Sequence, residues 1–209
     1  TNPSSLTNIS FKDTFNTSRG TVREALRVLE HKGLLSIRTG VKGGAIVKPA
    51  NTRAMRNGME LLIRHQKVSL EHLAEFRIFL EGIAAQKAAR NGNKEQVITL
   101  NQILDEIRAH IETGPEDWEE FHKLDAKFHK QVAAMADNPL VLANLTCIHE
   151  NIHVYFHSFL PFSIQLLTED FNDLCRIARA VENQKPHEAE NEARQHIAKF
   201  TKLMAENGR

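Results

Sequence analysis

The stretch Thr17-Ser18-Arg19-Gly20-Thr21-Val22-Arg23-Glu24-Ala25-Leu26-Arg27-Val28-Leu29-Glu30 decides how the front of this 209-residue chain reads. Val22, Ala25, Leu26 and Leu29 fall at i, i+3, i+4 and i+7, which predicts one apolar stripe on a helix from about Ser18 to His31. Arg19, Arg23 and Arg27 occupy its other faces, and Gly33 stops it. Upstream, Ser10 to Thr17 predicts a short helix entered from Thr7-Asn8, with Phe11 and Phe15 one turn apart and a break at Asn16-Thr17-Ser18. Downstream, Leu34-Leu35-Ser36-Ile37-Arg38 and Ala45-Ile46-Val47-Lys48-Pro49 flank a Gly-rich turn, the pattern of a β-hairpin. Helix, tight turn, helix, hairpin is the order of a winged helix-turn-helix. Its second helix presents N-terminal side chains to base edges in the major groove, and the hairpin reaches along the backbone or minor groove.

The residue types suit that use. Thr17, Ser18, Arg19, Gly20, Thr21 and Arg23 at the helix entry, with Arg38, Gly40 and Lys42 on the wing, form the candidate DNA-contacting set. Ser18 and Thr21 can donate to phosphates, as can the helix N-terminal amides. Gly20 removes a side chain where backbone must approach. Arg19 stands where a bidentate contact to guanine is made, while Arg23 and Arg38 suit phosphates, with Gly40 and Lys42 at the wing tip. Charge follows the same division. Residues 1–50 hold eight Lys/Arg against three acids, a net +5, so the remainder of a chain of net +1 carries −4. A basic head on a mildly acidic body points to a polyanion partner for one part only.

Beyond a linker at Pro49-Ala50-Asn51-Thr52 no strand pattern recurs. Helical periodicity fills the rest, broken near Lys67-Val68-Ser69, Asn91-Gly92-Asn93, Thr113-Gly114-Pro115, Asp137-Asn138-Pro139, Pro161 and Lys185-Pro186. Long helices joined by short loops predict an antiparallel bundle. The expected fold is therefore mainly α: a winged helix-turn-helix over residues 1–49, a linker and linking helix over 50–67, and a helical effector-binding and dimerisation domain over 68–209. Met55, Met59, Leu61 and Leu62 read as linking-helix core or dimer contact. No apolar run approaches the roughly 20 residues of a membrane span, and no secretion signal opens the chain. Cys147 and Cys175 lack a pairing pattern, which suits a reducing cytoplasm.

Residues 17–30, with Lys32-Gly33-Leu34-Leu35 and the Gly-rich wing, resemble the GntR family of transcription regulators over about the first 49 residues. The resemblance implies a homodimer on a palindromic operator. The chain departs from the family in lacking an earlier helix before this point, and in placing Ile9 where the family carries a DNA-contacting arginine. Residues 68–206 resemble that family's FadR-type effector domain, the FCD domain. The matching features are Arg77-x-x-x-Glu81 with Ala84-Ala85 and Ala88-Ala89, Asp125-x-x-x-His129 running into Asn138-Pro139, and Ala180-Val181 with His196 sixteen residues on. This resemblance implies a divalent metal of the Zn, Ni or Mn class beside a pocket for a small carboxylic acid.

Helix by helix, the residues allow it. Asp125 and His129 lie one turn apart at the edge of the apolar face formed by Phe121, Leu124, Phe128 and Val132, good geometry for two ligands on one ion. His196 lies within the inward stripe Ala189, Ala193, Ile197, Phe200 and Leu203, where a satisfied core histidine is the other reading. The family's remaining histidine falls on Leu174, in the apolar stripe Leu174, Ile177, Ala178 and Val181. Water, effector or another histidine would have to complete the shell. By resemblance Arg77 grips the effector carboxylate; the alternative is an ion pair with Glu75 or Glu81. His149, His153 and His157 form an i, i+4, i+8 row, with His153 the candidate to line the pocket and a half-exposed helix face the alternative.

Two rival functions remain at this level. Glu119-x-x-His122 and Glu150-x-x-His153 match the spacing of a di-iron carboxylate enzyme, although Glu119 projects away from its helix's apolar face. A ligand-binding adaptor without DNA affinity is the other.

Overall fold

The computed structural model describes residues 14–40, 43–48, 53–65, 67–152 and 159–207. Two compact units divide the chain, Thr1–Asn57 and Gly58–Arg209. Among the described residues the first unit holds helix α1 (Arg19–His31), strands β1 (Leu35–Arg38) and β2 (Gly44–Val47), and the start of α2 (Arg53–Arg64). The second holds the rest of α2 and, among the described residues, helices α3 (Leu70–Asn91), α4 (Lys94–Glu112), α5 (Glu119–Met135), α6 (Pro139–His149), α7 (Ile164–Glu182) and α8 (Pro186–Asn207). The fold is a winged helix-turn-helix followed by a helical bundle.

Local chemistry sets the boundaries of α1. The Ser18 hydroxyl accepts the Thr21 N–H at 3.1 Å and caps the start. Gly33, at φ 75°, closes the end: its N–H donates to the Glu30 carbonyl and the Leu34 N–H to that of Leu29, satisfying carbonyls that the helix leaves open. Thr14 and Phe15 are helical and Asn16 turns at φ 45°, which places the predicted break where the chain reverses. The remainder of the predicted first helix, Phe11 and Ile9 lie outside the described residues.

β1 and β2 pair antiparallel with Leu35 opposite Val47 and Arg38 opposite Gly44. Glu30 ties the hairpin to the helix by accepting the Ile37 N–H at 2.7 Å. Gly43 is required there, since a Cβ would stand 2.3 Å from the Arg38 carbonyl oxygen. The small core comprises Val22, Leu26, Leu35 and Ala45, with Ile37 against it. Ala25 and Leu29, expected in the apolar stripe, are exposed. The hairpin covers one edge of α1, the Val22–Leu26 edge, and the stripe is narrower than the sequence pattern.

In the bundle each predicted break coincides with a helix end. Ser69, Asn93, Asn138 and Ser163 cap the helices that follow them through their side chains, and Asn93 with Gln96 forms a reciprocal capping box. α3 lies against α5, α6, α7 and α8, and α4 packs on α5 and α7. Small buried residues on α3 (Ala84, Ala85, Ala88 and Ala89) face the large buried rings Phe121, Phe128 and Phe200 in one core. Leu174 is fully buried in it. Met59 is half-buried against this core, while Met55, Leu61 and Leu62 are exposed. No helix among the described residues is long and apolar enough to cross a membrane.

Candidate functional site

Polar side chains rarely enter an apolar core without partners. Here five helices contribute them to one place: Arg77 and Glu81 from α3, Asp125 and His129 from α5, His149 from α6, Asp170 and Asp173 from α7, and His196 from α8, all buried. Glu81 is the hub. One of its oxygens accepts from His149 Nε2 at 2.7 Å and from Arg77 Nη2 at 3.3 Å; the other lies 2.8 Å from His129 Nδ1. His129 then turns its Nε2 toward Asp125, 3.3 Å from Oδ1. The imidazoles of His149 and His196 stack on either flank of His129, with centroids at 4.5 and 5.3 Å.

The charges follow from this arrangement. Burial opposes the imidazolium of His129, but Glu81 and Asp125 on either side outweigh it and push its pKa up to about 10. Burial would raise both carboxyls, yet the imidazoles they face hold Glu81 and Asp125 well below the usual carboxylate range. His149 goes the other way. Burial and the neighbouring His129 charge drive it down to about 4, so it donates to Glu81 as a neutral ring. Burial also lowers His196. Asp170 is raised well above the usual value, by burial and then by the Asp125 charge.

Six buried atoms in this cluster lack a hydrogen-bond partner: Arg77 Nε, Asp125 Oδ1, His129 Nε2, His149 Nδ1, Asp170 Oδ1 and His196 Nδ1. Ligand atoms of Asp125, His129 and His196 lie within 4.8 Å of one another, as do those of Glu81, His129 and His149. The first group is the trio expected from sequence. Asp125, placed there at the edge of the apolar face, is buried, and His196 points inward as its stripe requires. Arg77 pairs with Glu81, the alternative expectation, and keeps a buried Nε without a hydrogen-bond partner.

Of the histidine row only His149 is described. α6 ends at His149 and the chain turns through residues 150–152. His149 is the buried member; His153 and His157 lie outside the described residues. The sequence pattern shows neither Glu81 as a hub nor Asp170 and Asp173 as site residues, and it offers His149 only as one member of a row. The signal for Asp170 was present, since it interrupts the buried stripe Leu167, Leu174, Ile177 and Val181 with a carboxylate.

Cavities border the bundle among the described residues. One of about 390 Å³ is lined by His122, Lys123, Ala126, Lys130 and His149, and so reaches the cluster from outside. A larger one of about 780 Å³, between α3 and the end of α8, includes none of the cluster. The di-iron alternative fails on geometry as well: Glu119 is exposed on Lys123, not turned inward.

In the head, Arg19, Thr21, Arg23, Arg38 and Gly40 are exposed and Thr17 is half-buried; Lys42 lies outside the described residues. Ser18, exposed, spends its hydroxyl on the helix cap and on Thr21 Oγ1 at 2.9 Å. Arg23, Arg27, Arg38 and Gly40 border a concavity of about 420 Å³ between helix and wing. Arg27 is tied to Glu24 at 3.1 Å, whereas Arg19 and Arg23 make no ion pair among the described residues.

Comparison with known proteins matches residues 72–199 to the model of the FCD domain. The chain belongs to the FCD-domain family. Relatives include the HTH-type transcriptional repressor NanR of Klebsiella aerogenes, 26% identical over 88% of this chain and 70% of that protein. NanR of an Enterobacter species is 32% identical over 62% of this chain, and the match spans about half (48%) of that relative. Among solved structures, Streptococcus agalactiae GntR superposes with a TM-score of 0.76 at 20% identity, covering 96% of this chain and 90% of that one. Escherichia coli McbR/YncC gives 0.60 at 15% identity over 99% and 89%. With a winged-helix head before an FCD domain, the chain is a DNA-binding transcription regulator of the GntR type and not an enzyme.

Proposed function

We propose that this FCD-domain regulator is a cytoplasmic homodimer that grips a palindromic operator with two heads and releases or tightens it when a small carboxylate binds beside a divalent metal in the bundle. The observation that carries this is the buried cluster itself: cationic Arg77, with a donor to spare, beside an Asp-His-His trio whose ligand atoms point at one another. Two ligand atoms on a tetrahedral ion at ordinary bond lengths stand about 3.4 Å apart, and Asp125 Oδ1 and His129 Nε2 are already 3.3 Å apart. In this reading Asp125, His129 and His196 hold the metal, and Arg77 takes the effector carboxylate. Residue 153 remains a candidate to line the pocket. Thr17, Ser18, Arg19, Gly20, Thr21, Arg23, Arg38, Gly40 and Lys42 meet the operator.

The effector acts only as far as it binds the two placements of the heads unequally. Melting the protein with divalent metals and small organic acids tests the sensing half. A ligand at a hundred times its dissociation constant adds about 2.7 kcal/mol to a native state it binds selectively, a rise of roughly 5–10 °C for a chain of this size. The same ligand should change the salt-dependent shift of upstream DNA. A protein that stays monomeric and ignores its upstream DNA removes the proposal.

A further inference from the structure

We propose that Asp170 supplies the ligand that Leu174 cannot, so that the metal is held by two carboxylates and two imidazoles: Asp125, His129, Asp170 and His196. The inference rests on the reading that the FCD half holds a metal, and it assigns a residue to the shell that the family pattern leaves empty here. Asp170 sits on α7 one helical turn before Leu174, so its side chain emerges on the same face of that helix. It is 2% exposed, and its Oδ1 lies 3.9 Å from His196 Nδ1. Both atoms are buried without a hydrogen-bond partner, as are Asp125 Oδ1 and His129 Nε2 beside them. Ligand atoms of Asp125, His129 and His196 lie within 4.8 Å of one another, and Asp170 Oδ1 borders that trio beside His196. A small approach of the Asp170 carboxylate on metal binding would complete the shell.

Asp173 is the competing carboxylate, 3.6 Å from His196 Nδ1. It is committed elsewhere: Arg176 donates to one oxygen, and Lys199 reaches the other at 3.3 Å. Asp173 is thus held by two cations, and Asp170 is left to face the ion. Charge favours the assignment. Asp170 lies within reach of the Asp125 and Asp173 charges in a buried setting, and repulsion of this kind is relieved by a cation. Two carboxylates neutralise a divalent ion, and exchanging an imidazole for a carboxylate moves the site toward harder cations of the Mn(II) class.

The test is metal binding by the full chain after chelator dialysis, titrated with Mn(II) and with Zn(II) by calorimetry, in wild type, Asp170→Asn and Asp173→Asn. Losing a ligand should weaken both metals by on the order of a hundred-fold or more, beyond the ten- to hundred-fold typical of outer-shell changes. Asp173→Asn, which removes an equal charge, should cost distinctly less. Co(II) provides a second readout, because Asp170→Asn should alter its visible absorption bands while Asp173→Asn leaves them nearly in place. Leu174→His added to Asp170→Asn should restore binding and tilt preference toward Zn(II). Melting of the metal-free variants establishes that they are folded. If wild type takes up metal and Asp170→Asn binds it equally with an unchanged Co(II) spectrum, the assignment of Asp170 is overturned and the metal reading stands. If wild type takes up no metal, both fall.

Discussion

Glu81→Ala should destabilise the bundle by about 3–5 kcal/mol, the cost of removing one partner from a buried ion pair. The estimate follows from what Glu81 satisfies. Arg77, His129 and His149 all direct N–H groups at its two oxygens, and none of the three can reach solvent instead. Two of those donors are charged, since His129 is held protonated to about pH 10 by Glu81 and Asp125 together. Without Glu81 the imidazolium keeps one carboxylate and faces the full burial penalty, so it sheds its proton and part of the loss is recovered. At roughly 2–4 °C per kcal/mol for a chain of this length, the melting temperature should fall by about 6–20 °C. Glu119→Ala, which deletes an exposed pair with Lys123, should stay within about 0.5 kcal/mol. Urea unfolding of the metal-free proteins distinguishes the two; a loss under about 1 kcal/mol for Glu81→Ala would show that the cluster is not held by its hub. The same variant should bind metal on the order of ten- to a hundred-fold more weakly. Glu81 fixes the Nδ1 side of His129 and thereby presents Nε2 to the ligand set.

That hub could not be read from the sequence, and the reason is geometric. Periodicity reports which face of a helix is buried, and it did so for Val132, Ile177 and Ala193. It does not report how five helices are rotated and staggered against each other. Whether Glu81 meets His129 or solvent depends on that stagger. Asp125 and His129 were legible because they share a helix at i, i+4, and His196 because its stripe points inward. Asp170 shows in the sequence only as a carboxylate within an apolar stripe, and its meeting with His196 depends on how α7 and α8 are staggered. The burial of His149 depends on the end of α6 there, which the histidine spacing does not report. The head is the opposite case. Its cap, its Gly33 stop and its hairpin all lie within 31 residues, so local rules alone recover them. Even there one detail failed, since the wing covers a narrower strip of α1 than Ala25 and Leu29 imply.

The head also carries the second large effect. Arg19→Ala should weaken operator binding by about 1–3 kcal/mol for each head, the worth of one bidentate base contact. In a dimer with two heads engaged the loss counts twice, which brings it to on the order of a hundred-fold or more in affinity. Arg19 is placed for this role by its position as the first residue of α1, exposed and with no ion pair among the described residues. Arg27 differs, being held by Glu24. Arg23 borders the concavity under the wing, where a phosphate contact is expected. Arg23→Ala should weaken all sequences alike and flatten the salt dependence by about one unit of slope per head, while Arg19→Ala relaxes preference at one base position. Gly20 separates the backbone argument from the arginine argument. A Cβ there would meet nothing nearer than the Ser18 hydroxyl at 3.5 Å, so Gly20→Ala should leave the fold intact or raise its stability by up to about 1 kcal/mol. If it nonetheless weakens operator binding, the missing side chain is needed for close approach of DNA to the helix entry. Titration of labelled operator and of scrambled DNA at several salt concentrations reads all three variants. Arg19→Ala binding both DNAs as wild type does would remove α1 from the role of recognition helix.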